Sequence, residues 1–394
     1  MIQSTIRAKR FTTIALLAAL LGILPTLAHA QDNDIEQLPL TGNTEFNSQY
    51  PMAVIAIVGN EAQQLGVTPA ETDIQIPRCT HWFVVPGLNA PTLKVCQEVY
   101  AQGVPGLGVG IATDADLEHI GELTSLKSLV LPKAVITDAG LAELRGLTQL
   151  QYLEIDAPHV TDAGLVHLAD MDSLKQIILC GTPITDAGLV HLAGLANLKT
   201  LRLDGTDVTA AGLERLSGMT GLWELKLDTT RYTDEGLRHI ANMTEMRTLN
   251  MKYAPITDAG LEHLAGLTQL EQLDIAGTRI TPAGVEHLAG LTNLNRLIID
   301  PSNLTDESLE HLSGMNQLRT LRLNKTGITD VGMQHIAGMT GLRQIDLSNT
   351  YITDAGLAYL TNISSLTMLD LSDAVNITDK GLALDLATGK ILWS

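Results

Sequence analysis

From residue 113 onward the apolar positions follow a pattern that restarts every 24 residues. Two spacings alternate inside each unit. In the first half, Leu141 and Leu144 stand three apart behind Ile136, the stripe of a short helix with one buried face. In the second half, Leu150-Gln151-Tyr152-Leu153-Glu154-Ile155 alternates at every second residue, the mark of a strand with one buried face. The threonine that opens each unit returns at Thr113, Thr137, Thr161, Thr185, Thr209, Thr233, Thr257, Thr281, Thr305, Thr329 and Thr353, and once more, one residue late, at Thr378. A fixed period of this size marks a stacked repeat, in which each unit buries its apolar face only against its neighbours.

One unit serves for all. Thr137 is an N-cap residue whose hydroxyl accepts an amide of the first helical turn, and Asp138 follows where the helix dipole favours negative charge. Ile136 and Leu141 have the spacing of a hydrophobic staple, Gly140 signals close packing, and Gly146 is expected as a left-handed C-cap. The helix is about eight residues, viable only when packed. Then comes the strand, seen again in Leu198-Lys199-Thr200-Leu201-Arg202-Leu203 and Leu318-Arg319-Thr320-Leu321-Arg322-Leu323. Leu201 and Leu203 point inward, while Thr200, Arg202 and Asp204 point outward. Eleven such strands, from the Leu126 segment to the Leu366 segment, stack into a parallel sheet about 50 Å along its edge at about 4.8 Å per strand.

The L-x-x-L-x-L strand closed by a helix in each 24-residue turn resembles the leucine-rich-repeat family, and most of all the Thr-Asp-Ala-Gly-Leu subtype of exported bacterial proteins, related to the repeats of F-box proteins. The resemblance covers about residues 113 to 378. It implies an α/β solenoid, a horseshoe with a parallel concave sheet, short convex helices and a binding surface on the concave side. One departure is plain: where the family often has Asn or Cys after the strand, this chain has Thr182, Thr206, Thr230, Thr278, Thr326 and Thr350. A threonine hydroxyl still bonds the loop backbone, so the fold expectation stands.

The flanks read differently. Residues 1–30 carry a basic start (Arg7, Lys9, Arg10), an apolar run from Thr13 to Leu24 and Ala28-His29-Ala30, the pattern of a cleaved secretory signal peptide. This places the protein in a bacterial periplasm or outside the cell, with no membrane insertion after cleavage; a retained membrane anchor is the alternative. Residues 31–104 form a polar leader and an N-terminal cap, or a small domain with its own activity; a solenoid needs its open end covered. In the cap, Ala53 to Val58 reads as a buried strand, Pro77 to Pro86 as a loop and Leu93 to Ala101 as a helix. Gly103, Gly106, Gly108 and Gly110 form a flexible join or an imperfect first strand, since they lack a phosphate-loop pattern. The repeats occupy residues 105–378, and 379–394 form a C-terminal cap with a single propeller-like motif, too little for a propeller.

Charge narrows the partners. Removing residues 1–30 leaves 22 basic against 44 acidic side chains, a net −22, which disfavours nucleic acid and anionic membrane. The strand segments with the two residues after each hold 13 of those basic residues and only 11 of the acidic ones. A near-neutral mixed face with aromatics suits protein recognition, with glycan as the other candidate partner. The outward residues expected to bind are Tyr152, Glu154, Ile178, Arg202, Glu224, Lys226, Lys252, Tyr253, Arg296 and Arg322, with Trp223 at the rim.

Other chemistry is thin. In an oxidising compartment Cys79 and Cys96 are positioned in sequence to pair, and Cys180 reads as a free thiol. A histidine column (His119, His167, His191, His239, His263, His287, His311, His335) repeats on the helices. Helix axes about 8–10 Å apart argue against shared zinc at about 2.1 Å per nitrogen, so no metal or cofactor is expected. No catalytic motif is present in the sequence. The expectation is an exported, non-enzymatic protein-binding module; the alternatives are a secreted effector or F-box-like substrate-recognition subunit of a ubiquitin ligase, and an enzyme within 31–104.

Overall fold

A computed structural model describes residues 45–58, 61–70, 73–76, 81–87, 90–299 and 304–378. The expected signal peptide, the leader up to residue 44, Cys79 and the C-terminal cap at 379–394 lie outside the described residues. The chain divides into two compact units, residues up to 184 with 194–198, and residues 185–193 with 199 onward. Among the described residues, no helix is long and apolar enough to cross a membrane.

In the first unit, β1 (Glu45–Phe46) pairs antiparallel with β4 (Ile74–Gln75). The expected strand is present as β2 (Met52–Val58), antiparallel to both β3 (Glu61–Val67) and β5 (His81–Pro86). The stretch from Pro77 to Pro86 is therefore not a loop throughout: His81–Pro86 is a strand, in which Phe83, Val84 and Val85 are buried. β5 then pairs parallel with β6 (Gly106–Gly108), so the glycine lead-in is the first parallel strand beside the cap. Parallel pairing continues through β7 (Ser128–Leu131), β8 (Tyr152–Ile155) and β9 (Gln176–Ile178). Helix α1 (Thr92–Ala101) matches the expected cap helix and buries Val95, Cys96 and Val99. Cys96 is a buried free thiol, and Cys79, its expected disulfide partner, lies outside the described residues. Cys96 is 4% exposed, and burial, then the negative charges of Asp116 and Glu122, push it up to about 12.

In the second unit, β10 (Thr200–Arg202), β11 (Glu224–Lys226), β12 (Thr248–Asn250), β13 (Gln272–Asp274), β14 (Arg296–Ile298), β15 (Thr320–Arg322), β16 (Gln344–Asp346) and β17 (Met368–Asp370) pair in order, all parallel. The register advances by one repeat each time: Leu201, Leu225, Leu249 and Leu273 are aligned and buried. With β7, β8 and β9, these are the eleven repeat strands that the period implies. The threonines after the strands are satisfied as expected: Thr206, Thr230, Thr278, Thr326 and Thr350 each donate to the carbonyl three residues back, at 2.7 Å.

The helix starts hold the less expected detail. Thr137, Thr161, Thr209, Thr329 and Thr353 cap their helices by accepting from the amide two residues on. The aspartate beside the cap does more than face the dipole. Asp138 accepts from both the amide and the hydroxyl of Thr161 in the next repeat, at 2.7 Å each. The same two-pronged bond joins Asp114 to Thr137, Asp186 to Thr209, Asp234 to Thr257, Asp258 to Thr281, Asp306 to Thr329 and Asp330 to Thr353. That carboxylate lies against the glycine of the next repeat. A Cβ on Gly164 or Gly260 would sit 2.5 Å from an oxygen of Asp138 or Asp234. Where Pro282 replaces the aspartate, the next repeat has Ser308 in place of glycine, and Ser308 completes a capping box with Thr305. Gly146 departs from expectation in another way: it closes a 3-10 turn, Leu144–Gly146, without left-handed geometry. The left-handed positions are in the turns after the strands, at Lys133, Gly181, Gly205, Thr229, Tyr253 and Gly277 among others.

Candidate functional site

Strand parity puts the first and third residues of each repeat strand on the face away from the helices. In the first unit this face is closed, with an apolar cluster beside buried Ser128, Glu154 and Gln176. Val130, Tyr152 and Ile178 form one buried cluster with Ala53, Ile55, Val67, Phe83 and Val85 from the cap strands, and Cys180 packs against it. Gly108 makes the overlap possible: a Cβ there would lie 3.3 Å from Val85 and 3.8 Å from the Phe83 ring. Tyr152, Glu154 and Ile178 are only 6%, 4% and 3% exposed. The Tyr152 hydroxyl donates to Glu154 at 2.7 Å, which satisfies a carboxylate that would otherwise be costly to bury.

In the second unit the face starts closed and opens along the chain. Arg202 Nε donates to Glu224 Oε1 at 2.8 Å, and Lys226 Nζ lies 3.4 Å from the same oxygen, with side chains 7%, 5% and 15% exposed. This ion pair is buried between adjacent rungs and acts first as a packing element. From β12 onward the outward residues are mostly half-buried or exposed, and Arg322 is exposed. Arg296 is half-buried; burial, then the neighbouring Arg322, lowers its pKa, and Asp274 opposes the shift.

Two aromatic clusters mark the edges of this face. At the strand-start rim, the ring of Trp223 has Lys199 Nζ 5.0 Å and Arg247 Cζ 4.8 Å from its centroid. The sequence pointed to Trp223 but not to its two cations; the signal was there, since all three occupy one column of the repeat. Across the sheet, Tyr253 is 60% exposed in a left-handed turn, with Lys252 Nζ 5.0 Å from its ring. Gly277 in the next turn leaves room for that ring.

The same turns carry an acidic ladder. Asp204 accepts from the Asp228 amide at 3.0 Å, and Asp228 from the Lys252 amide at 2.9 Å. Burial, then the charges of Asp204 and Asp274, push Asp228 up to about 6, against the pull of the Lys252 amide and of Lys226. Its folded value thus exceeds the unfolded 3.8, so its stabilising contribution is complete below 3.8 and is lost as pH rises through about 6. Asp228→Asn keeps the acceptor and removes the charge. We expect it to stabilise the protein by about 1 kcal/mol at pH 7.5, after discounting for partial exposure, and by nothing at pH 3.5. Urea unfolding at the two pH values checks this.

Other polar groups are spoken for or scattered. A shallow groove of about 580 Å³ beside α1 is lined by Ser48, Tyr50, Lys94, Glu98 and Gln102 among others, and there the Ser48 hydroxyl bonds to Glu98 and the Gln102 amide to the Asn47 carbonyl at 2.7 Å. The eight histidines of the column are half-buried on the helix side of the repeats, His239 and His263 in the turns after their helices. Among the described residues, no group of three or more His, Cys, Asp or Glu side chains is arranged to hold a metal ion.

Two comparisons bear on this architecture. Residues 316–374 and residues 242–265 each match a leucine-rich-repeat family model. No curated protein matches the chain. Among solved structures, an internalin (inlF) from Listeria monocytogenes is similar at 24% identity and a TM-score of 0.57, over 76% of this chain and 92% of that one. A leucine-rich-repeat protein of Leptospira interrogans covers 78% of this chain and 93% of its own, at 15% identity and a TM-score of 0.46. Residues 242–265 and 316–374 are leucine-rich repeats, and the fold that contains them is the leucine-rich-repeat fold.

Proposed function

We propose that this chain is an exported, non-enzymatic protein-binding module that takes its partner on the outward face of the repeat sheet. Residues 1–30 direct export to the periplasm or beyond, 31–104 cover the open end of the repeats, 105–378 form the binding scaffold and 379–394 close it. The repeats are of the 24-residue Thr-Asp-Ala-Gly-Leu subtype found in exported bacterial proteins. The observation that carries the reading is the division of labour within each repeat. Helix-side residues recur with few exceptions because caps, interlocks and core consume them, whereas strand-side residues vary and gather 13 of the 22 basic side chains left after export. Variable charged and aromatic residues on a rigid sheet are what selective protein recognition requires. Among the binding residues read from the sequence, Lys252, Tyr253, Arg296, Arg322 and Trp223 are the reachable ones, while Tyr152, Glu154, Ile178, Arg202 and Glu224 support them from within; Lys226 lies between.

The test is capture of partners by the exported chain from periplasmic and secreted fractions, followed by cross-linking. Tyr253→Ala combined with Arg322→Glu is expected to lose the captured protein, and Arg238→Glu on the helix side to keep it. Equal recovery by both variants contradicts the reading.

A further inference from the structure

The strand-start rim of the second unit carries an unusual charge for so acidic a chain. Its column, one residue per rung, runs Lys199, Trp223, Arg247, Glu271, Asn295, Arg319, Arg343, Thr367. Backbone bonds hold these residues rung on rung: Trp223 donates to Lys199, Arg247 to Trp223, and so on to Thr367. Four cations face a single carboxylate, and that one is occupied, since Glu271 lies 3.9 Å from Arg247 and accepts from Asn295 at 3.3 Å. Arg319 and Arg343 are exposed on adjacent rungs, and Arg296 lies beside them on the outward face. None of these three forms an ion pair with any described residue. The nearby carboxylates are engaged locally: Asp274, whose charge acts on Arg296, accepts from the Ala276 amide, Asp346 from the Ser348 amide and hydroxyl, and Asp370 from those of Ser372. Unpaired like charges about one strand spacing apart repel each other, so an incoming carboxylate relieves a cost as well as making new bonds.

We propose that this rim, from the Trp223 cluster to Arg343, binds an acidic, extended peptide segment of the partner. The proposal rests on the protein-binding reading above and names the chemistry of what is bound. From Lys199 to Arg343 there are seven rungs and six spacings, roughly 29 Å at about 4.8 Å per strand, which an extended segment of about nine residues spans. Its acidic residues lie against Arg296, Arg319 and Arg343, where the planar guanidinium forks pair with carboxylates two bonds at a time. A sulfated glycan fits less well. Cations lie over the Trp223 ring, leaving it poorly placed to stack on a sugar, and a polyanion charged at every ring also meets Asp346, Asp370 and the field of a chain with net charge −19.

The experiment is selection of a phage-displayed random dodecapeptide library on the full exported chain, with heparin run as a competitor. We expect selected peptides to hold roughly twice the Asp and Glu content of the library, and a labelled winner to bind about tenfold more weakly to an Arg319→Glu/Arg343→Glu variant. An Arg231→Glu/Arg238→Glu control, away from the rim, stays within about twofold. All substituted side chains are at the surface, and circular dichroism verifies that both variants fold. Absence of acidic enrichment, equal weakening of the control, or tighter binding of heparin than of every selected peptide overturns the proposal. If it fails while Tyr253→Ala/Arg322→Glu still loses its captured protein, the protein-binding reading survives without the acidic segment.

Discussion

Gly260→Ala is expected to destabilise the protein by about 3 kcal/mol, whereas Gly236→Ala changes stability by less than about 0.5 kcal/mol. Both glycines hold the same place in the Thr-Asp-Ala-Gly-Leu phrase, and both lie in the first turn of a short helix. They differ in what the preceding repeat puts against them. A Cβ on Gly260 would sit 2.5 Å from an oxygen of Asp234, the carboxylate that bonds both the amide and the hydroxyl of Thr257. Making room means breaking that two-pronged bond between repeats and leaving a half-buried carboxylate poorly paired. Against Gly236 the preceding repeat has Ala210, and the nearest atom to a new Cβ is Leu213 Cδ1 at 3.1 Å. The small crowding there is offset by the helix propensity of alanine, about 1 kcal/mol better than glycine. Urea unfolding of the two variants, with amide exchange at each helix, measures the difference; equal losses would remove the interlock from the account.

The second large effect concerns the buried ion pair. Arg202→Ala leaves Glu224, 5% exposed, with only Lys226 at 3.4 Å as its counter-charge, and is expected to cost about 3 kcal/mol. Arg202→Met with Glu224→Leu replaces the pair by apolar side chains of similar volume and recovers most of that loss. A double-mutant cycle read by urea unfolding decides it, and a double variant as unstable as the single one contradicts it. The consequence for function is practical. Charge reversal at Arg202 reports unfolding before it reports binding, so surface tests belong at Arg322, Tyr253 and the strand-start rim.

Much of this was legible in the sequence because the period is strict. Alternation in Leu201-Arg202-Leu203 fixes which side chains point inward, and the threonine column fixes where helices start. What escaped depended on contacts between repeats. Asp138 looks, within its own unit, like a residue suited to a helix dipole; its partner Thr161 is 23 residues on. The clue was the paired exception, Pro282 followed by Ser308, which fits an aspartate that touches the next glycine. Gly146 was misjudged because a 3-10 turn closes the helix without left-handed geometry. The candidate face was right in parity but not in accessibility. Tyr152 and Ile178 point outward, yet the glycine strand lets Phe83 and Val85 reach across to them, and no periodicity within the repeats reports what the cap strands cover.

We propose that the recurring phrase builds the scaffold while the strand side recognises a partner. Hydroxyl-radical footprinting of the protein, free and with its captured partner bound, tests it most directly. Protection concentrated on Trp223, Tyr253 and the strand segments from Arg296 to Arg343, with the helix-side histidines unchanged, is the expected result. Protection of the His239-to-His335 column or of residues 45–104, with those strand segments unchanged, would contradict it.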